Sequence, residues 1–234
     1  GESTAQGFRR YSQGAALRTM PNGDRLPTLN LTRGIKMRGD PGHNGHYRNV
    51  STAESHLEYC EISHFGVDAL GRYPVHHHMR MEASRGETVR GVVVKHSGAH
   101  AFVPHMSDGL TFVDCVAYDI EKEAYWYDPV RRTDPGAGNI IGNPAEAITN
   151  DLKLIRCVVA FDHPTARFIH GAFRLGRTMH GNVVDSCLAV GIGGGGTAAG
   201  YHWPEGDSTG EIPSFWEFTN NVSLACRKYG WSGW

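Results

Sequence analysis

The chain has no apolar run approaching the roughly 20 residues that a helix needs to cross a bilayer, so no membrane span is expected. None of its five cysteines belongs to a CxxC pair, which argues against a zinc ribbon. Charge of either sign is not in surplus: 23 basic and 24 acidic residues leave a formal net charge of −1. No overall field therefore draws in nucleic acid or an anionic membrane, and an acidic polymer would have to meet a local basic patch. Long helix-forming runs are also scarce. The 30 glycines and 11 prolines instead break the chain into short segments separated by turns, the signature of an all-β protein. Gly193–Gly196 is a four-glycine run without the GKS/T or GxGxxG context of a phosphate cradle, and it reads as a loop. The first residue is Gly1 rather than Met, as in a processed protein or one excised from a longer chain.

What the sequence does have is a repeat. Leu57-Glu-Tyr-Cys60-Glu-Ile62, Val89-Arg-Gly-Val92-Val-Val94, Phe112-Val-Asp-Cys115-Val-Ala117, Leu154-Ile-Arg-Cys157-Val-Val159 and Val184-Asp-Ser-Cys187-Leu-Ala189 share one pattern, with Phe218-Thr-Asn-Asn221-Val-Ser223 as a weaker copy. An apolar residue is followed after three positions by Cys or Val, and after two more by a second small or apolar residue. The Cys/Val/Asn positions lie 32, 23, 42, 30 and 34 residues apart. The shortest interval suits one coil of a parallel β-helix, and the longer ones suit coils carrying inserted loops. A β-sandwich competes, but it does not account for the recurring Cys/Val phase. The expected fold is an all-β, right-handed parallel β-helix with the cysteines in an inward ladder, where none needs a disulfide partner.

Residues 1–28 are polar and weakly periodic, and read as a tail or the remnant of a preceding module; residues 29–234 form the expected β-helix domain. A first strand is expected over Leu29–Met37, and insertions over Asp128–Asn150 and Gly191–Ser214.

The segment Leu70-Gly-Arg-Tyr-Pro-Val-His-His-His-Met-Arg-Met81 carries the densest chemistry. If Val75–Met79 is a strand, His76 and His78 share one face while His77 joins Val75 and Met79 on the other. Stacked coils bring equivalent positions to about 4.8 Å, so His105 on the next coil can approach the pair. Three imidazoles and a carboxylate suit one divalent ion of the Zn, Mn, Fe or Cu class rather than Ca²⁺. The expected ligands are His76, His78 and His105, with Asp128 or Glu123 as the fourth. A ladder of hydrogen-bonded histidines lining a groove is the bland alternative.

Leu31-Thr-Arg-Gly-Ile35, Gly45-His46, Leu70-Gly-Arg-Tyr-Pro-Val-His-His-His78, Val103-Pro-His105 and Val116-Ala-Tyr-Asp119 resemble the motifs of the G8-associated parallel β-helix family, which includes hyaluronidases and the non-enzymatic fibrocystin. The likeness covers about residues 29–190. It implies a right-handed β-helix, a secreted or extracellular setting and action on a glycosaminoglycan-like polysaccharide. Three departures stand close to the histidines. His77 replaces the usual Phe, Lys122-Glu123 replaces a Gly-His, and the usual acidic pair is reduced to Asp128 followed by Pro129.

Two chemistries fit such a substrate. Hydrolysis uses two carboxyl groups, for which Asp68, Glu82, Asp108, Asp119, Glu123 and Asp128 are candidates. Elimination uses a base on the proton alpha to a carboxylate that metal or Arg neutralises. His105, Asp128 and Glu123 are the expected catalytic groups. Arg72, Arg80, Arg131 and Arg132 are expected to meet a uronate, and Tyr125, Trp126 and Tyr127 to stack on sugar faces. The competing reading is a non-enzymatic carbohydrate-binding or adhesion module.

Overall fold

The structure is a computed structural model and describes residues 31–40, 44–126, 149–163, 166, 171–175, 178–194, 199–202 and 214–232. The proposed tail at 1–28 lies outside the described residues. The described chain is a right-handed parallel β-helix with three sheets. Sheet one holds seven strands from Ile35–Arg38 to Val222–Leu224, sheet two seven from Arg48–Asn49 to Tyr229–Ser232, and sheet three six from Leu57–Glu58 to Ser214–Thr219. Each coil visits sheet three, then one, then two. Thr88–Arg90, Val93–Ser97 and Phe102–Ser107 form one such coil, and Thr111–Val113, Val116–Ile120 and Tyr125–Trp126 the next.

The repeat in the sequence is the register of the coils. Its first apolar positions pair across sheet three: Leu57 with Val89, Val89 with Phe112, Phe112 with Leu154, Leu154 with Val184, and Val184 with Phe218. Its last positions pair across sheet one: Ile62 with Val94, then Ala117, Val159, Ala189 and Ser223. Both rows face one core, and the residue between them turns the corner in the left-handed region, as Tyr59, Gly91, Asp114, Arg156, Ser186 and Asn220 do.

That corner explains the cysteines. The corner residues Asp114, Arg156 and Ser186 keep backbone N–H bonds to the neighbouring coil, while the buried N–H groups of Cys157 and Cys187 just after the corner need other partners and find them in side chains. The Cys187 thiol donates to the Leu154 carbonyl of the preceding coil at 3.4 Å and accepts from the Cys157 N–H at 3.3 Å. On the last coil Asn221 does the same with better groups: its Nδ2 donates to the Val184 carbonyl at 2.8 Å, and its Oδ1 accepts from the Cys187 N–H at 2.9 Å. All five cysteines are free thiols.

The first strand is shorter than expected, Ile35–Arg38 rather than Leu29–Met37. Its partner Cys60–Ser63 begins just after the Tyr59 corner, with Ile35 opposite Cys60 as the first pair; residues 29 and 30 of the expected strand lie outside the described residues. On the inner side of sheet two, Phe102, Tyr125, Phe173, Tyr201 and Trp231 stack face to face, with centroids 4.8, 4.8, 4.8 and 4.3 Å apart.

Candidate functional site

Sheet two carries the histidine-rich strand, Val75–Met81. Gly71, at φ 80, closes the turn before it, and Tyr73 and Pro74 enter buried. Alternation then sends Val75 and His77 inward and His76 and His78 to the outer face. His78 pairs in register with His105 on Phe102–Ser107, while His76 pairs with Val103. Beyond His78 the register slips, with Met79 and Met81 at φ 53 and 48. Bulges of this kind re-aim side chains at the end of a strand.

His76, His78 and His105 come together as the sequence suggests: one nitrogen from each lies within 4.8 Å of the others. The His78 ring stands nearly perpendicular to both neighbours, at 4.9 Å from each, and the other two are 6.0 Å apart and nearly parallel. His76 Nδ1 lies 3.2 Å from the Gly71 carbonyl, which only accepts, so Nδ1 carries the proton and Nε2 the lone pair. That Nε2 is buried without a hydrogen-bond partner. Burial, then the neighbouring His78 and His105, push the His76 imidazole down to about 3, so it is uncharged at neutral pH. His76 and His105 are buried and His78 is half-buried, so the cluster sits beneath the surface rather than in an open groove.

A backbone carbonyl fixing the far nitrogen of an imidazole whose other nitrogen has no partner is the usual support for a metal-bound histidine. Tetrahedral coordination at about 2.1 Å would hold ligand nitrogens about 3.4 Å apart, so the three must close up slightly to share an ion. Of the two expected fourth ligands, Glu123 does not belong to this group. Asp128 lies outside the described residues, as do Tyr127, Arg131 and Arg132. Glu123 is buried one coil on, with its carboxylate 3.5 Å from both Arg174 and His100 Nδ1.

Several predicted contact residues are occupied elsewhere. Arg80 is buried, ion-paired with Glu87, and donates to the carbonyls of Ser51 at 2.6 Å and Ala53 at 2.8 Å; it ties the 49–55 loop to the coil and does not face the cluster. Tyr125 belongs to the inner aromatic stack, out of reach of any substrate. Trp126 does face outward, but its ring lies on His100 at 4.0 Å, and Arg174 stands 5.9 Å from it. Arg72 is exposed on the turn before the strand. Among the other carboxylates, Glu82 pairs with Arg85, Asp68 with Lys122 and Asp119 with His96, while Asp108 accepts from the Asn150 N–H.

Two residues the sequence reading passed over are close to the cluster. Tyr73 packs edge-on against His76 at 4.9 Å, His100 at 5.4 Å and Trp126 at 5.8 Å, joining the histidines to the next coil. His100 is buried and donates from Nδ1 to the Glu123 carbonyl at 2.9 Å; burial holds it well below the ordinary imidazole range. Only the coil register brings these residues near His76.

The segment carrying this site, residues 42–127, matches the family model of the CEMIP beta-helix. Over that segment the chain is similar to the CEMIP β-helix family. Over 70 residues it is 31% identical to the human cell surface hyaluronidase CEMIP2, a match covering 27% of this chain and 5% of that protein. The chain therefore spans a small part of that relative's length. No solved structure matches. Among the described residues, no helix is long and apolar enough to cross a membrane.

Proposed function

We propose that this CEMIP-like β-helix acts on an acidic polysaccharide of the glycosaminoglycan class outside the cell, and that His76, His78 and His105 hold one divalent ion of the Zn, Mn, Fe or Cu class. The observation that carries the reading is the convergence of three imidazoles inside the segment that matches the family model. The similarity to a protein named as a cell surface hyaluronidase supports the substrate class. Such an ion supplies Lewis acidity toward a carboxylate or carbonyl oxygen and lowers the pKa of a bound water. The residues' own contribution is orientation: Gly71 fixes the tautomer of His76, and Tyr73 and the perpendicular His78 fix the ring planes.

A second reading is favoured by one observation. The cluster is largely buried, and Arg80 is engaged inside the protein, which suits a carbohydrate-binding or adhesion module whose metal stiffens the coil. Incubation with a panel of uronate-containing and neutral polysaccharides, with and without chelator, separates the two. Chelator-sensitive new reducing ends support cleavage, and accompanying unsaturated-uronate absorbance identifies elimination. Retained binding without product from any polymer supports the module.

A further inference from the structure

A second group of titratable side chains lines a cavity of about 300 Å³ at the corner between sheets one and two: His64, His96, Asp119, Glu121 and His163, with Asn44. His64, His96 and Asp119 occupy the same left-handed corner on successive coils, at φ 56, 54 and 56. His96 Nδ1 lies 2.5 Å from Asp119 Oδ2, so the carboxylate accepts the Nδ1 proton and leaves Nε2 with its lone pair. The His96 ring stacks on His64 at 5.1 Å and 22°, and meets the edge of Tyr118 at 6.0 Å. Across the cavity His163 Nδ1 is 4.0 Å from Glu121 Oε1. Lys95, on the same strand as His96, is held by Glu61 at 3.0 Å. In contrast to the buried cluster, the His96 and Asp119 side chains are 37% and 22% exposed.

The geometry narrows the chemistry. Among the described residues, the ligand atoms of this cavity do not converge as those of His76, His78 and His105 do, where one atom from each of three residues lies within 4.8 Å of the others. Asp119 is committed to His96, which leaves the cavity without the two facing carboxyl groups that glycosidic hydrolysis uses. The Ser97 hydroxyl is buried, donating to the Ala99 carbonyl and accepting from the Ala99 N–H, both at 3.1 Å, so it is no nucleophile. What remains is an imidazole oriented by a carboxylate and open to water, a sufficient base for water attack on an ester.

We propose that this corner cavity is a second reactive centre, in which His96, held by Asp119, is the general base for hydrolysis of small acyl esters. His96 Nε2 takes a proton from water as the water oxygen bonds to the ester carbonyl carbon. Collapse of the tetrahedral adduct breaks the bond to the alkoxy oxygen, which leaves with the proton from the imidazolium. The products are a carboxylic acid and an alcohol, and no other reactant is required. Burial and the adjacent His96 hold His64 below the usual imidazole range, so at neutral pH it adds no charge beside the imidazolium.

Steady-state hydrolysis of p-nitrophenyl acetate by the whole chain tests this without polymer or metal, and so separately from the polysaccharide reading. The wild type should saturate with substrate. His96→Asn, whose new side chain tolerates the left-handed backbone, should lower kcat about 10²–10⁴-fold, and Asp119→Asn at least about tenfold. His56→Gln, an exposed histidine elsewhere, should leave kcat unchanged. Should His96→Asn fail to fold, as judged by its thermal transition, Asp119→Asn decides. Wild-type turnover in either folded variant, or a non-saturating rate matched by the unfolded chain, overturns the proposal.

Discussion

His77 stands where the resembling β-helix motif has Phe, and its surroundings show how the chain accommodates an inward imidazole. Its ring meets the Phe112 edge at 6.3 Å, and its Nε2 lies 3.9 Å from Glu87, whose carboxylate is held by Arg80 and by the Ser55 N–H. Nδ1 is buried with no hydrogen-bond partner. Burial outweighs the attraction of Glu87 and lowers the pKa to about 4, so the ring is neutral near pH 7. His77→Phe should therefore gain about 1 kcal/mol by removing an unsatisfied polar atom and raise Tm by about 2–4 °C, read by calorimetry. Glu87→Gln acts in the opposite sense. It removes the charge opposing a buried guanidinium, and should cost about 3–5 kcal/mol in denaturant unfolding.

At the scale of the element, side chain to backbone bonds add to the inter-coil backbone bonds at the corner between sheets three and one. Asn221→Ala should cost about 1–2 kcal/mol, since it strands the Val184 carbonyl and the Cys187 N–H. Asn221→Cys should recover part of that loss, because a thiol fills the same role on the earlier coils; urea midpoints of the two variants make the comparison. This corner was the most legible part of the chain, because sheets three and one are joined by the same short bend on every coil and the apolar spacing survives from copy to copy. Sheet two follows connections of varying length, so its phase was not repeated. Tyr125 and Trp126 show the consequence. Alternation says that one points in and the other out, but a one-residue shift exchanges them, and only pairing of Tyr125 with Phe102 and Phe173 decides. Arg80 was misplaced for a related reason: the bulge after His78 breaks the alternation that would have kept it on the outer face.

Over the whole molecule, four buried imidazoles share one behaviour. His76 is lowered to about 3, His77 and His202 to about 4, and His100 lies well below its usual value, with burial the leading cause in each. A histidine whose folded pKa is depressed binds its proton more readily in the unfolded chain. The stability it contributes is complete above the unfolded value near 6.5 and falls as pH drops toward the folded value. Each group takes away about 1.4 kcal/mol per pH unit in that window, so the metal-free protein should lose stability steeply between about pH 6.5 and 4, followed by denaturant titration at fixed pH steps. Occupancy of the cluster should shift the onset, since a metal competes with protons for His76. The fold and the convergence of His76, His78 and His105 could both be read from the sequence, the latter because His78 and His105 stand one coil apart in register. Their burial could not, because it depends on how the coils and connections pack over sheet two.

The most direct test of the central claim is anomalous scattering at the zinc edge from crystals of the whole chain grown with one equivalent of zinc. The account predicts a single peak lying between His76 Nε2 and the imidazoles of His78 and His105, absent from His78→Ala crystals. No peak there, or a peak that persists in His78→Ala, would contradict it.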